Sequence, residues 1–422
     1  MTQFLTQYQA MPRVTRLLLI NQFTINFGFY MLMPYLAQHL AGTLGLAAWL
    51  VGLVLGVRNF SQQGLFALGG ALADRFGFKP LIVAGCLLRT AGFAMLAVAD
   101  SIPVLVVASA ATGLAGALFN PAVRAYLALD AGERRVEAFA LFNVFYQAGI
   151  LTGPLVGLAL TGASFRLTCT VAAVVFAVLS VVQIRSLPAQ AKESGDRVGI
   201  LAQWRVVVAN RPFLLFATAM ICSYVLSFQV YLALPLEIRR TGGDGSGSTL
   251  GVAALFVASG LVTVLAQTKV TAWCRSRLTG GQALVLGLVA MATAFVPLLI
   301  ATAFADAAPP WLISLLPGLA AAVLLAVGTM VAFPFEMDTI VALSGGRLVA
   351  THYGVYNTIC GIGITAGNLL TGAALDEARN RGLPTLPWLS LVALGVFSAA
   401  MIALLQRTGR LSPAEVKVAA RA

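Results

Sequence analysis

GVRNFSQQGLFALGGALADRFGFKPLIVAG, residues 56–85, decides how the whole chain is to be read. Its first part is apolar except for Arg58, Asn59, Gln62 and Gln63. Its middle, Asp74-Arg75-Phe76-Gly77-Phe78-Lys79, sets three charges around a glycine, and from Pro80 it turns apolar again. Two apolar runs joined by a short charged turn read as a membrane hairpin, because each run can cross hydrocarbon and the turn needs water.

The rest of the chain repeats this pattern. Its 422 residues are 59% apolar and 10% charged, with a mean hydropathy of +0.90, whereas soluble globular chains carry roughly 25% charged residues. This composition describes an integral membrane protein and excludes a soluble enzyme or a nucleic-acid binder. At about 20 residues per span, breaks at charges, glycine and proline predict twelve helices. They cover 15–38, 46–72, 80–99, 102–128, 137–161, 165–187, 211–236, 249–273, 281–304, 311–335, 348–374 and 386–406. The fold class expected is an all-α membrane protein with little extramembrane mass.

Lysine and arginine test that assignment, because they gather on the cytoplasmic side of membrane proteins. With the N-terminus placed inside, 20 of the 27 basic residues fall on that side and five on the other, with Arg58 and Arg89 within spans. Both termini are expected in the cytoplasm, and the +12 net charge reads as basic loops, with no polyanion partner implied. The segment up to Arg16 is polar, with no small-residue cleavage site before the first apolar run, so that run reads as a retained helix. Five scattered cysteines and two histidines offer no metal, haem or cluster spacing, and no cofactor is expected.

A polar connection at 188–210 divides the chain into an N-terminal six-helix bundle (1–187) and a C-terminal one (211–407), followed by a tail (408–422). An offset of 214 residues superimposes 119–155 on 333–369, matching Phe119 with Phe333, Asn143 with Asn357, Gly149 with Gly363 and Gly153 with Gly367. Two such halves of equal orientation are parallel repeats about an axis along the membrane normal, with substrate held between them. A channel would need a pore loop or charged rings, and neither is visible.

Gly70-Ala71-Leu72-Ala73-Asp74-Arg75-Phe76-Gly77-Phe78-Lys79 resembles the loop signature of the major facilitator superfamily, and Gly149-Ile150-Leu151-Thr152-Gly153-Pro154-Leu155-Val156-Gly157 resembles the fifth-helix signature of its drug:proton antiporters. The resemblance implies that Gly70, Asp74, Arg75, Gly77 and Lys79 serve a cytoplasmic gate. It further implies that Asp74 latches onto the N-terminus of the eleventh helix and onto basic residues such as Arg124. Phe78 stands where the family has arginine, so the charge relay is incomplete. Gly149, Gly153 and Gly157 form one smooth stripe and Pro154 a bend, suited to close helix packing. That motif implies export, and the resemblance as a whole implies proton-driven efflux of amphipathic compounds by a monomer in a bacterial cytoplasmic membrane.

Ionisable groups at bilayer depth usually face a cavity or a partner. Arg58 reads as facing the cavity, where it attracts an anionic or zwitterionic group or pairs with a carboxylate, or else as snorkelling to the outer headgroups. Arg89 reads equally as a buried structural group or a ligand contact. Proton coupling has Glu336, Asp338, Glu237, Arg58 and Arg89 as candidates, with Glu336 and Asp338 also suited to the gate. His352 reads as a surface residue. Asn21, Gln22, Asn26 and Tyr30, with Gln62, Asn143, Tyr146 and Gln147, are candidates to line the cavity from the N-terminal half, and Tyr224, Phe228, Tyr231, Tyr356 and Asn357 from the C-terminal half. Their helical spacing puts each set on one face, although interfacial belts and interhelical bonding explain the same residue types. A facilitator for one metabolite without proton coupling is the alternative function. A membrane-embedded enzyme is a further one, for which no HExxH, P-loop or acidic-histidine constellation speaks.

Overall fold

The computed structural model describes residues 2–98, 101–188, 199–242, 246–303 and 314–411, and among these every regular element is a helix. Nine helical stretches of the described residues are long and apolar enough to cross a membrane. One of them, Ile102–Ala163, folds back at the 3-10 turn Gly132–Arg134 and so supplies two spans, Ile102–Ala131 and Arg135–Ala163. With Arg13–Gln38 and the broken helix Ala48–Gln63 and Phe66–Phe76, the spans number twelve.

In order they are Arg13–Gln38, then Ala48–Gln63 with Phe66–Phe76, Phe78–Val98, Ile102–Ala131, Arg135–Ala163, Phe165–Ser186, Arg211–Phe228 with Ala233–Gly242, Ser246–Arg277, Gly280–Thr293 with Val296–Ala303, Leu316–Ser344, Val349–Arg381 and Leu386–Arg407. Several run past their expected ends. The tenth continues to Ser344 and not to 335, because nothing after Pro334 stops a helix until Gly345 and Gly346, both at positive φ. The second, seventh and ninth are broken in mid-course, which hydropathy does not register. Two helices lie outside the spans, Thr2–Gln9 and Ile200–Ala209, the latter within the connection read as a polar linker. Much of that connection (189–198), residues 304–313 and most of the tail (412–422) fall outside the described residues.

The packing repeats from half to half. The first span packs on the fifth and the third on the fourth and sixth; likewise the seventh packs on the eleventh and the ninth on the tenth and twelfth. The two bundles then meet along a seam where the second span faces the eleventh and the fifth faces the eighth. Glycines permit these approaches. A Cβ on Gly149 or Gly153 would come within 2.7 or 2.8 Å of a carbonyl oxygen of the first span, at Phe23 and Phe27, and one on Gly157 would run into the Met31 carbonyl. Their repeat mates Gly363 and Gly367 press on Ile221 and Val225 of the seventh span. The Pro154 carbonyl accepts a hydrogen bond from Tyr35 (2.6 Å), which ties the fifth span to the first.

Candidate functional site

At the face that carries the basic loops the halves are latched. Asp74 ends the inner piece of the second span, and its carboxylate accepts hydrogen bonds from the Thr351 N–H (2.7 Å), the Thr351 hydroxyl (2.6 Å) and the Ala350 N–H (3.2 Å). These donors sit in the first turn of the eleventh span, where free N–H groups and the helix dipole favour an anion. Leu348, at φ +50, adopts the left-handed conformation that starts this helix, an uncommon one for a non-glycine residue. One turn before Asp74, a Cβ on Gly70 would strike the Ala350 carbonyl, so the close approach requires glycine.

Arg124 does not reach Asp74, contrary to expectation. Three donors already surround that carboxylate, and Arg124 instead donates to Asn357 Oδ1 across the seam (2.8 Å). Arg75 lies over the Phe76 ring (5.4 Å), and Lys79 has no ion pair among the described residues. Phe78 is buried against Tyr126, so the position where a charge is usual serves packing here. Two further ion pairs cross the seam nearby. Arg135 of the fifth span meets Asp338 of the tenth (2.8 Å), and Glu137 binds both Arg134 and Arg275 of the eighth span.

Glu336 and Asp338 therefore part company. Two residues along a helix turn about 200°, and while Asp338 stays half-exposed beside Arg135, Glu336 is buried, eight residues before the helix ends. It accepts a hydrogen bond from the Tyr356 hydroxyl (2.6 Å) and stands beside Tyr224, with Arg124 in electrostatic range but not ion-paired with it among the described residues. Tyr146, in electrostatic range of Arg124, pairs with Tyr30, which also meets Tyr231. Tyr231 in turn packs on Phe228 and Phe256. This polar column takes groups from both halves.

Asn143 donates to Gln267 of the eighth span (2.7 Å), and Gln267 reaches the Met330 carbonyl (2.9 Å). Gln267 was not singled out from sequence, although it is an amide inside the apolar run LVTVLAQTKV. Gln63, passed over in favour of Gln62, faces Gly361 across the seam, whereas Gln62 turns into its own bundle beside Gly116. The break after Gln63 frees the Ala67 N–H, which donates to Thr358 of the eleventh span (3.2 Å). Asn21, Gln22 and Asn26 are buried, Gln147 is half-buried, and the Asn21 amide has no partner.

The remaining candidates lie off this column. Arg58 is half-buried, bonded to Asn59 and set over Phe29; no carboxylate pairs with it among the described residues. Arg89 is buried in the N-terminal bundle. Glu237 is bound by Arg240 through two contacts (2.6 and 2.9 Å) near the opposite face. His352 is not on the surface: it is buried against Phe213 and Asn210 at the start of the seventh span, with its ring bonded to the Leu348 carbonyl. All five cysteines are buried and free, and no cluster of three potential metal ligands occurs among the described residues.

Residues 18–368 match the family model described as Major Facilitator Superfamily. The chain is 52% identical over 397 residues to an uncharacterized MFS-type transporter of Mycobacterium tuberculosis, covering 93% of each. It is 30% identical over 379 residues to the multidrug resistance protein MdtH of Salmonella arizonae (90% of each chain), and 29% identical over 381 residues to that of Shigella dysenteriae (90% and 91%). With twelve spans in two similar bundles and a match over most of its length, the chain belongs to the Major Facilitator Superfamily, a family of transporters that bind small molecules and coupling ions.

Proposed function

We propose that this transporter exports small amphipathic compounds in exchange for protons, by alternating access, as a monomer in the cytoplasmic membrane of a bacterium with both termini inside. The observation that carries the reading is Glu336, a buried carboxyl at the seam, under the Tyr356 hydroxyl and within electrostatic range of Arg124 of the other half. A carboxyl so placed has two states of use to an antiporter. As the anion it is attracted to the guanidinium across the seam; as the neutral acid it loses that attraction, and the seam is free to rearrange.

The latch at Asp74 and the ion pairs Arg135–Asp338 and Glu137–Arg275 hold the basic face shut. Gly52 and Gly56, on the outer piece of the second span, face open space. A shut basic face supports reading this arrangement as the outward-facing state, with Gly70, Asp74 and Thr351 as its cytoplasmic latch. The aromatic and amide groups from Tyr231 to Asn143 offer an amphipathic lining. Relatives named for multidrug resistance support efflux of drug-like compounds.

Flux of a lipophilic dye in proteoliposomes, with and without an imposed pH gradient, tests the reading. Uphill dye movement driven by the gradient is expected. Equal flux in both conditions would remove proton exchange and favour an uncoupled facilitator.

A further inference from the structure

Arg89 enters the N-terminal bundle from the third span and is 3% exposed, yet it has no carboxylate partner among the described residues. Of its five N–H donors, one reaches an acceptor, from Nη2 to the Thr112 carbonyl (3.1 Å), and the buried Nε has none. Its guanidinium lies among the rings of Phe29 (4.8 Å), Phe119 (4.9 Å) and Phe176 (5.4 Å). Arg58 stands 4.9 Å from the centroid of that same Phe29 ring, so the two guanidinium carbons are no more than 9.7 Å apart, the sum of 4.9 and 4.8 Å. The ionisable groups that act on the pair are Tyr30 and Cys86, neither of them a carboxylate.

A guanidinium does not give up its proton at any ordinary pH. Aromatic faces offset part of the charge, but they offer no acceptor to the spare N–H groups. Gln62, whose Oε1 is also buried without a donor, lies beside Arg89 where Gly116 leaves room: a Cβ there would stand 3.1 Å from both Arg89 Nη2 and the Gln62 side-chain carbonyl carbon.

We propose that Arg58, Arg89 and Gln62 form a site for the carboxylate of an amphipathic organic acid, which gives the transported substrate a chemical class and rests on the transport reading above. The guanidinium fork matches a carboxylate's two oxygens, Gln62 can turn its amide to donate to the same group, and Phe29, half-buried against both arginines, is the ring that meets the apolar body. On the outer piece of the second span Asn59 is exposed and Arg58 half-buried, so the Arg58 end of the pair is the one nearest the surface.

The test is isothermal titration of the full-length protein in lipid nanodiscs with 1-naphthylacetate and with its neutral isostere 1-naphthylacetamide. The acid is expected to bind about tenfold more tightly or better. Arg89→Met and Arg58→Gln should each abolish that preference, and Arg89→Lys should retain part of it, as the charge survives without the fork. Equal affinity for acid and amide would overturn the proposal, as would an intact preference in Arg58→Gln, a half-buried position where folding is not at stake. Displacement of the acid by millimolar chloride would reassign the site to small ions and overturn it as well. The titration needs no gradient, so its failure leaves proton-driven flux standing, and loss of coupled flux leaves this binding result intact.

Discussion

Asn143 and Asn357 occupy equivalent positions in the two bundles, 214 residues apart, and each is hydrogen-bonded across the seam to the opposite half: Asn143 to Gln267 at 2.7 Å, Asn357 to Arg124 at 2.8 Å. The duplicated sequence thus supplies a duplicated contact, one on each side of the pseudo-symmetry axis. The seam is held at two balanced points as well as by the latch.

Replacing Asn357 with alanine leaves the Arg124 guanidinium without this acceptor, and Asn143→Ala leaves the Gln267 oxygen without its donor. Each loss should cost the closed form of the basic face about 1–3 kcal/mol, or roughly 5- to 150-fold in the population of the open form. Hydrogen exchange of the Thr351 amide, protected by Asp74 in the closed form, should accelerate accordingly. Unchanged exchange in both variants would show that these bonds do not hold the seam.

Asp74→Asn keeps the size of the side chain and removes its charge from the first turn of the eleventh span. Charge-assisted bonds to N–H groups are about twice as strong as neutral ones, so the latch should loosen without altering the polar column. Flux should fall at least about tenfold, while substrate Kd stays within about threefold. Equal loss of binding and flux would contradict the latch.

The Arg135–Asp338 pair is about one-third exposed on both sides, so its contribution should be small, about 0.2–1 kcal/mol. Asp338→Asn should therefore lower flux by less than about fivefold. The exchanged pair Arg135→Asp with Asp338→Arg should recover most of the lost activity. A failure of the exchanged pair to exceed either single charge reversal would deny the contact.

Gly157→Val places methyl groups where the Met31 carbonyl already stands, and Gly153→Leu crowds the Phe27 carbonyl in the same way. Overpacking of this kind costs typically 1–3 kcal/mol or more. Thermal unfolding of the purified variants should begin several degrees lower than in the unaltered protein, with Gly162→Ala, which meets nothing within 4 Å, as the unaffected control. Unchanged unfolding of Gly157→Val would mean that the first and fifth spans are not packed as described.

Hydropathy made the spans legible because the cost of polar groups in lipid acts residue by residue, and the loop signature around Asp74 carried the family. Where a span breaks was not legible. The break after Gln63 depends on Thr358, 295 residues away, to receive the freed backbone, and no local pattern encodes that contact. The divergence of Glu336 from Asp338 was hidden for a related reason: both were read as lying at a helix end, and only the continuation to Ser344 sets one inside the seam and the other at its rim. His352 looked like a surface group because the residues that bury it, Asn210 and Phe213, lie about 140 residues away, and no local pattern encodes that contact. Asn143 and Asn357 were visible as a matched pair, but their partners were not.

The central claim, that Glu336 carries the proton exchanged for substrate, is tested most directly by Glu336→Gln in proteoliposomes under an imposed pH gradient. The account predicts that this variant still exchanges labelled for unlabelled dye across the membrane yet no longer concentrates dye when the gradient is applied. Dye accumulation by Glu336→Gln equal to that of the unaltered protein would contradict it.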